Sequence, residues 1–439
     1  MSSVERRPLI PRRSRGETGW TPSLWHATAP SGPALGPVSE CIKADVLVIG
    51  GGVAGVSTAL HLAEGGVDVV LLEAEQLGSA ATGRSGGLIA PDYIRHSPET
   101  IRNVLGPEPG ERMTRLIGAS GQLCFDLIKR HAIVCDAQQD GFSTPAHDDH
   151  LAETQRQTAE QWRSRGFDVS FMGKTDARHD FGSLRYCGAI RFAQGGRLNP
   201  VAYVRGLARA ALNAGARMFV RSPVGELSRI DGAWRARTSA GQDVVARRVV
   251  LAANGGNARL HPAMRHTALP LHVVEFATAP LSPAQRAEVL PNGGAFTDKQ
   301  PYLFTARFDG LGRLISAFPV SFLVRDKYAF YKEAKRRLAA YHPSLKQLEI
   351  DCLWEGRAWI NTSFLPEIYD LGDDALAIQA CNGRGLAINS SIGCEMAAAL
   401  VSGDFTALSV TPRTPTPIPF YAADALAPKA LMSVAYLKN

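Results

Sequence analysis

A chain of 439 residues exceeds one ordinary domain, so two domains are the starting expectation. Its 45% hydrophobic and 20% charged residues exclude a disordered or fibrous protein and fit a globular one. The net charge of +7 does not mark a nucleic-acid partner, because more than half of it sits in residues 1–15, where five arginines face Glu5 alone.

That basic leader holds an Arg-Arg pair with no apolar run behind it, unlike an export signal. No apolar segment approaches the length expected of a membrane span. The rest of residues 1–43 is rich in Pro, Gly and Ser and reads as an irregular arm whose Trp20 and Trp25 dock on the body. Seven scattered cysteines without CxxC, and eleven histidines without HxxxH or HExxH, argue against a metal centre and for a reducing, cytoplasmic setting.

From Ala44 the chain reads as an apolar strand, Gly50-Gly51-Gly52-Val53-Ala54-Gly55, a helix to Glu64, a second apolar strand and Glu73. This is a dinucleotide-binding unit with chemistry at each fixed position. Gly50 permits the tight turn, Gly52 lets the backbone approach a pyrophosphate, and Gly55 lets helix and strand pack closely. The helix N-terminus meets the phosphate charge. Glu73, 23 residues after Gly50, can accept from ribose hydroxyls. A long loop of small residues follows, Gly78 to Gly87, in which Arg84 and Ser85 are donors.

Residues 111–135 and 148–166 look helical, and 200–216 carries a helical stripe of Tyr203, Leu207, Ala211 and Leu212. Short strands at 217–220 and 224–227 precede a hairpin (234–238, 243–246), and Arg248–Leu251 leads into the glycine turn Asn254-Gly255-Gly256. Residues 266–360 alternate instead, as in Val273–Ala277 and Tyr302–Phe308, with one helix near 326–341, and predict an antiparallel sheet. Strand, glycine turn and helix return at 376–402, then a Pro-rich strap at 411–419. The reading is an α/β protein. Residues 1–43 are the arm; 44–110, 186–265 and 361–410 form a discontinuous cofactor domain; 111–185 and 266–360 form an inserted substrate domain; 411–439 are the strap.

One dinucleotide site, with no second GxGxxG, leaves two chemistries. Either FAD is bound and the organic substrate supplies the electrons, or NAD is a co-substrate. The small-residue loop after Glu73 favours FAD, since it can carry backbone along the pyrophosphate toward a flat ring.

Five segments resemble the D-amino acid oxidase/glycine oxidase/sarcosine oxidase superfamily: Gly50–Glu73, Thr82–Gly87, Leu198-Asn199-Pro200, Val249–Gly256 and Asn382-Gly383-Arg384-Gly385. The Trp20–Trp25 phrase, Trp354-Glu355-Gly356 and the Pro-rich tail are similar to its γ-glutamylputrescine oxidase branch. The resemblance implies a glutathione-reductase-like FAD domain and oxidation of a C–N bond in an amine or amino acid. Hydride would go to the flavin, and oxygen (giving peroxide) or another acceptor would reoxidise it. It implies ADP contacts at Gly50, Gly52, Val53, Ala54, Gly55, Glu73 and Ala74, with Val224 offering backbone to adenine. Thr82, Gly83, Arg84, Ser85, Gly86, Gly87 and Leu88 would follow the cofactor toward the ring, with Ala253, Asn254 and Gly255. Asn382, Gly383, Arg384, Gly385 and Leu386 would face its pyrimidine edge.

Arg384 stands where the family often has histidine, and a guanidinium there would stabilise the negative charge of the reduced ring; a surface salt bridge is the alternative. Members with covalent flavin carry cysteine near Ala358–Trp359, so FAD here is expected to be noncovalent. No arginine replaces Ala358 as a carboxylate clamp, which leaves Arg307 as an anion clamp or an exposed strand residue. Trp359 and Tyr302 are cage aromatics or core. The alternatives to amine oxidation are FAD-dependent oxidation of a C–O bond, as in 2-hydroxyacid or glycerophosphate dehydrogenases, and a non-catalytic flavin-binding subunit. A monomer or homodimer is expected.

Overall fold

A computed structural model of the chain describes residues 22–300, 302–379 and 382–438. The basic leader and Trp20 lie outside the described residues.

Two eight-stranded sheets organise the molecule. The first runs Glu367–Gly372, Ala375–Gln379, Asp243–Leu251, Ile42–Ile49, Val69–Leu72, Arg217–Phe219, with Ala233–Thr238 also pairing with Asp243–Leu251 and Val224–Ile230 pairing with Ala233–Thr238. Its central pairings are parallel: Val46 to Ile49 align with Val69 to Leu72 on one side and Arg248 to Leu251 on the other. Val69 to Leu72 are all buried, the apolar run expected of a strand covered on both faces.

The helices Val53–Glu64, Pro200–Asn213, Gly385–Ser402 and Pro107–Arg130 pack together beside this sheet. Gly393 makes one crossing possible: a Cβ there would lie 2.6 Å from Ser57 Cβ, and Ser57 Oγ donates to Ser390 O at 2.8 Å. The helix Gly385–Ser402 is long and apolar enough to pass for a membrane span, yet most of it is buried among these neighbours.

The second sheet runs Ile350–Ile360, Leu269–Pro280, Arg313–Pro319, Thr305–Phe308, Ala295–Thr297, Phe142–Ala146, Gly188–Phe192, Val169–Met172. It is antiparallel except where Ala295–Thr297 meets Phe142–Ala146. Phe276, Phe296 and Phe318 on one face pack with Tyr302 and Phe304 from the turn before Thr305–Phe308, and the helix Lys327–Tyr341 closes this core with Tyr341.

Three boundaries differ from the sequence reading. Gly188–Phe192 belongs to the second sheet, not to a 186–265 cofactor segment, because its partners Phe142–Ala146 and Val169–Met172 lie there. The helix Pro107–Arg130, assigned from 111 to the substrate domain, packs on Gly385–Ser402 through buried Met113, Leu116, Ile117 and Cys124. The strap stays extended only through its prolines. It ends in helices Tyr421–Asp424 and Ala427–Leu437, the latter docking Ala435 against the second core.

Candidate functional site

The glycine turn after Ile42–Ile49 leaves no room for side chains. Gly50 has φ +123°, and a Cβ on it would lie 2.7 Å from Ala252 backbone. One on Gly55 would lie 2.0 Å from Gly50 O. Strand, turn and helix are therefore in van der Waals contact. Glu73 ends the second strand, where its carboxylate accepts from Gly51 N–H at 2.6 Å and Glu75 N–H at 2.9 Å. Burial raises its pKa above the ordinary carboxylate value. Ser222 N–H donates to Glu73 O at 2.9 Å, which brings the segment leading into Val224 beside Glu73 and Ala74. Thr82 Oγ1 accepts from Val53 N–H at 3.3 Å, joining the helix N-terminus to the loop that continues through Gly83.

Further along, Asn257 Oδ1 accepts from Ala253 N–H at 2.9 Å and fixes the turn at the end of Asp243–Leu251. Asn254 adopts φ +51° there, and its buried Oδ1 has no donor. The N–H groups of Ser85, Gly86 and Gly87 likewise find no acceptor among the described residues. Unsatisfied polar atoms beside glycine turns are what a dinucleotide would complete. These residues fit FAD.

At the other end, Asn382 N–H donates to Trp359 O at 3.0 Å, and Asn382 Oδ1 accepts from Asn361 N–H at 2.9 Å. Gly383 has φ +83°, Arg384 precedes the helix starting at Gly385, and Leu386 is buried in its first turn. Arg384 is not a surface salt bridge. Its Nη1 lies 2.7 Å from Asp92 Oδ2, with both side chains at most one-tenth exposed, and its guanidinium sits 5.1 Å from the Phe142 ring centre. Lys299 joins them, its Nζ donating to Ile94 O at 2.7 Å. Burial, with Arg384 nearby, lowers Lys299 to about 8, against the opposing pull of Asp92. Arg384 pairs with Asp92 while Lys299, held by backbone carbonyls, feels the same carboxylate at longer range; two cations against one carboxylate at a helix N-terminus make a corner that favours an anion.

The structure corrects two substrate-contact readings. Arg307 is neither an open clamp nor exposed: its Nε donates to Gly86 O at 2.7 Å and Nη2 to Leu198 O at 3.0 Å, with 1% of the residue exposed. Tyr302 packs among Phe318, Tyr436 and the Arg337 guanidinium, 4.6 Å from its ring, in the second core. Trp359 lies over Gly255, where a Cβ would sit 2.0 Å from its ring, and lines a cavity of about 170 Å³ with Asn254, Thr267, Gln379 and Tyr421. Arg84 turns aside, its Nη1 3.4 Å from Glu355 O, and Ser85 Oγ donates to Thr82 O at 3.0 Å.

Sequence reasoning passed over Asp92, Lys299 and Glu275. An acid closing the apolar run Leu88-Ile89-Ala90-Pro91 signals a buried partner, but not which one. Glu275 sits in an equally apolar strand. Its buried Oε2 has no donor, and burial pushes its pKa well above the ordinary value.

The glycine turn, the acid at the second strand end and the second antiparallel sheet define a flavin-dependent oxidoreductase. Residues 45–400 match the family described as DAO, FAD dependent oxidoreductase, and the chain belongs to it. Gamma-glutamylputrescine oxidoreductase of Escherichia coli (strain K12) is 29% identical over 420 residues, 93% of this chain and 97% of that protein. A probable oxidoreductase OrdL of Haemophilus influenzae is 27% identical over 376 residues, 84% of this chain and 85% of that protein. Glycine oxidase from Geobacillus kaustophilus shares the fold at TM-score 0.68 and 20% identity, covering 89% of this chain and 98% of that one. L-Amino acid deaminase from Proteus vulgaris with its specific insertion sequence deleted does so at TM-score 0.70 and 18% identity, covering 94% of this chain and 98% of that one.

Proposed function

We propose that this FAD-dependent enzyme oxidises the C–N bond of an amine or amino acid to an imine, with noncovalent flavin and either oxygen or another acceptor taking the electrons onward. The single observation that carries the reading is the buried corner of Arg384, Lys299 and Asp92 at the start of Gly385–Ser402. The names of the relatives, which point to amine and amino-acid chemistry, support it.

FAD, when bound, supplies the hydride acceptor; the protein's part is charge and placement. Arg384 and the protonated Lys299 offer positive charge to whatever becomes anionic, the ring edge or a substrate carboxylate. Asp92 holds Arg384 in one orientation, and the Phe142 ring packs against its guanidinium. Ala358–Trp359 provides no thiol for a covalent flavin link. We place the enzyme in the reducing cytoplasm, as a monomer or homodimer.

An anaerobic screen of the purified yellow protein tests this. Bleaching of the flavin by an amine, amino acid or opine is the expected result. Bleaching by 2-hydroxyacids or glycerophosphate while every nitrogen compound fails would move the activity to a C–O bond, and no bleaching by any small metabolite would mark a non-catalytic subunit.

A further inference from the structure

Four consecutive carbonyls of the loop after Glu73 are each held by a different donor. Trp354 Nε1 donates to Arg84 O at 3.3 Å, Trp25 Nε1 to Ser85 O at 2.6 Å, Arg307 Nε to Gly86 O at 2.7 Å, and Leu198 N–H to Gly87 O at 2.9 Å. The N–H groups between them, of Ser85, Gly86 and Gly87, have no acceptor among the described residues. With its carbonyls taken, this stretch has only donors left to offer a ligand. Gly87 allows it, since φ is +69° and a Cβ would lie 2.4 Å from Leu198 O.

The three side-chain tethers also hold one another. The Arg307 guanidinium lies 4.5 Å from the Trp25 ring centre, and the Trp25 and Trp354 rings meet edge-on at 5.8 Å. Trp354 and Arg307 come from the second sheet. Trp25 comes from Leu24–Thr28, a five-residue helix outside the family-matched residues 45–400. A single turn has no stability of its own. This one is anchored by Asn199 Nδ2 donating to Thr28 Oγ1 at 3.0 Å, and Trp25 is 1% exposed.

We propose that Leu24–Thr28 is a cofactor-positioning element, with Trp25 as the residue that turns the Ser85–Gly87 amides toward the flavin. The inference rests on the FAD reading. Trp25 acts through the loop and does not itself touch the cofactor.

The test is FAD titration of apoprotein prepared from the full-length chain and from Trp25→Phe, which keeps a ring and removes the N–H. Flavin fluorescence and absorption report binding, and thermal melting of each apoprotein reports fold. The expected result is a modestly lowered apoprotein melt, since a buried ring shrinks and Ser85 O loses its donor, together with a dissociation constant roughly fivefold to tenfold higher, the scale of one buried hydrogen bond, and an altered flavin absorption band. Equal affinity in the two proteins overturns the proposal. So does a lowered melt with unchanged affinity, which would make Trp25 a packing residue only. If Trp25→Phe yields no folded protein, Trp354→Phe removes the neighbouring tether and is read by the same criteria. A wild-type apoprotein that takes up no FAD would instead overturn the cofactor reading beneath the proposal.

Discussion

At the scale of single residues, Gly55 is constrained by an atom it lacks: its Cβ would strike fixed backbone. Alanine there would put carbon 2.0 Å from Gly50 O, so the helix Val53–Glu64 must withdraw from the turn. We expect Gly55→Ala to purify with little flavin and to lose about 2 kcal/mol of stability, the scale of overpacking, read from absorbance at purification and urea denaturation. Lys299 gives a pH signature. Its native pKa of about 8 lies below its ordinary 10.5, so the ammonium contributes its charge below about pH 8 and loses it above. Affinity for an anionic substrate should fall as pH rises through that value. Lys299→Met should bind more weakly at low pH and lack this limb, measured as KM against pH. Stability has the opposite slope. Between pH 8 and 10.5 the unfolded chain holds a proton that the native lysine has released, so this group makes stability rise with pH across that window.

At the scale of elements, the helix Gly385–Ser402 gathers the charges. Asp92 is the carboxylate paired to Arg384, and Lys299 lies close enough for both to act on it. Asp92→Asn should leave a buried cation without its counter-charge and cost about 3 kcal/mol, measured by urea denaturation of the apoprotein. Much of this region was legible beforehand. The Gly50–Gly55 turn, Glu73 and the Asn382–Gly385 turn announce themselves through local pattern, because backbone geometry demands glycine at fixed offsets. The Asp92–Arg384 pair does not, since its members stand 292 residues apart and no local rule joins them. Tyr302 shows the same limit from the other side: alternation predicts a strand from 302, but the strand begins at Thr305 and Tyr302 sits in the turn before it, packed on Phe318, Tyr436 and Arg337 from distant segments.

At the scale of the whole molecule, Arg307 ties the halves together. It stands on Thr305–Phe308 in the second sheet and binds carbonyls of Gly86 and Leu198 in segments joined to the first. Arg307→Met would strand both acceptors in a buried place. We expect a loss of about 3 kcal/mol and weaker flavin retention together, read from the melt and from flavin released on dilution. A substrate clamp would instead change KM and spare the melt.

The amino-acid order alone determined the cofactor unit, the α/β class and the inserted alternating sheet, because glycine turns, apolar runs and alternation are short-range consequences of backbone sterics and burial. Only the tertiary structure decided that Arg307 braces a loop, that Arg384 pairs with Asp92 near Lys299, and that Gly188–Phe192 crosses to the second sheet. Each of these is a contact between distant segments, set by how two sheets and their helices close on one another.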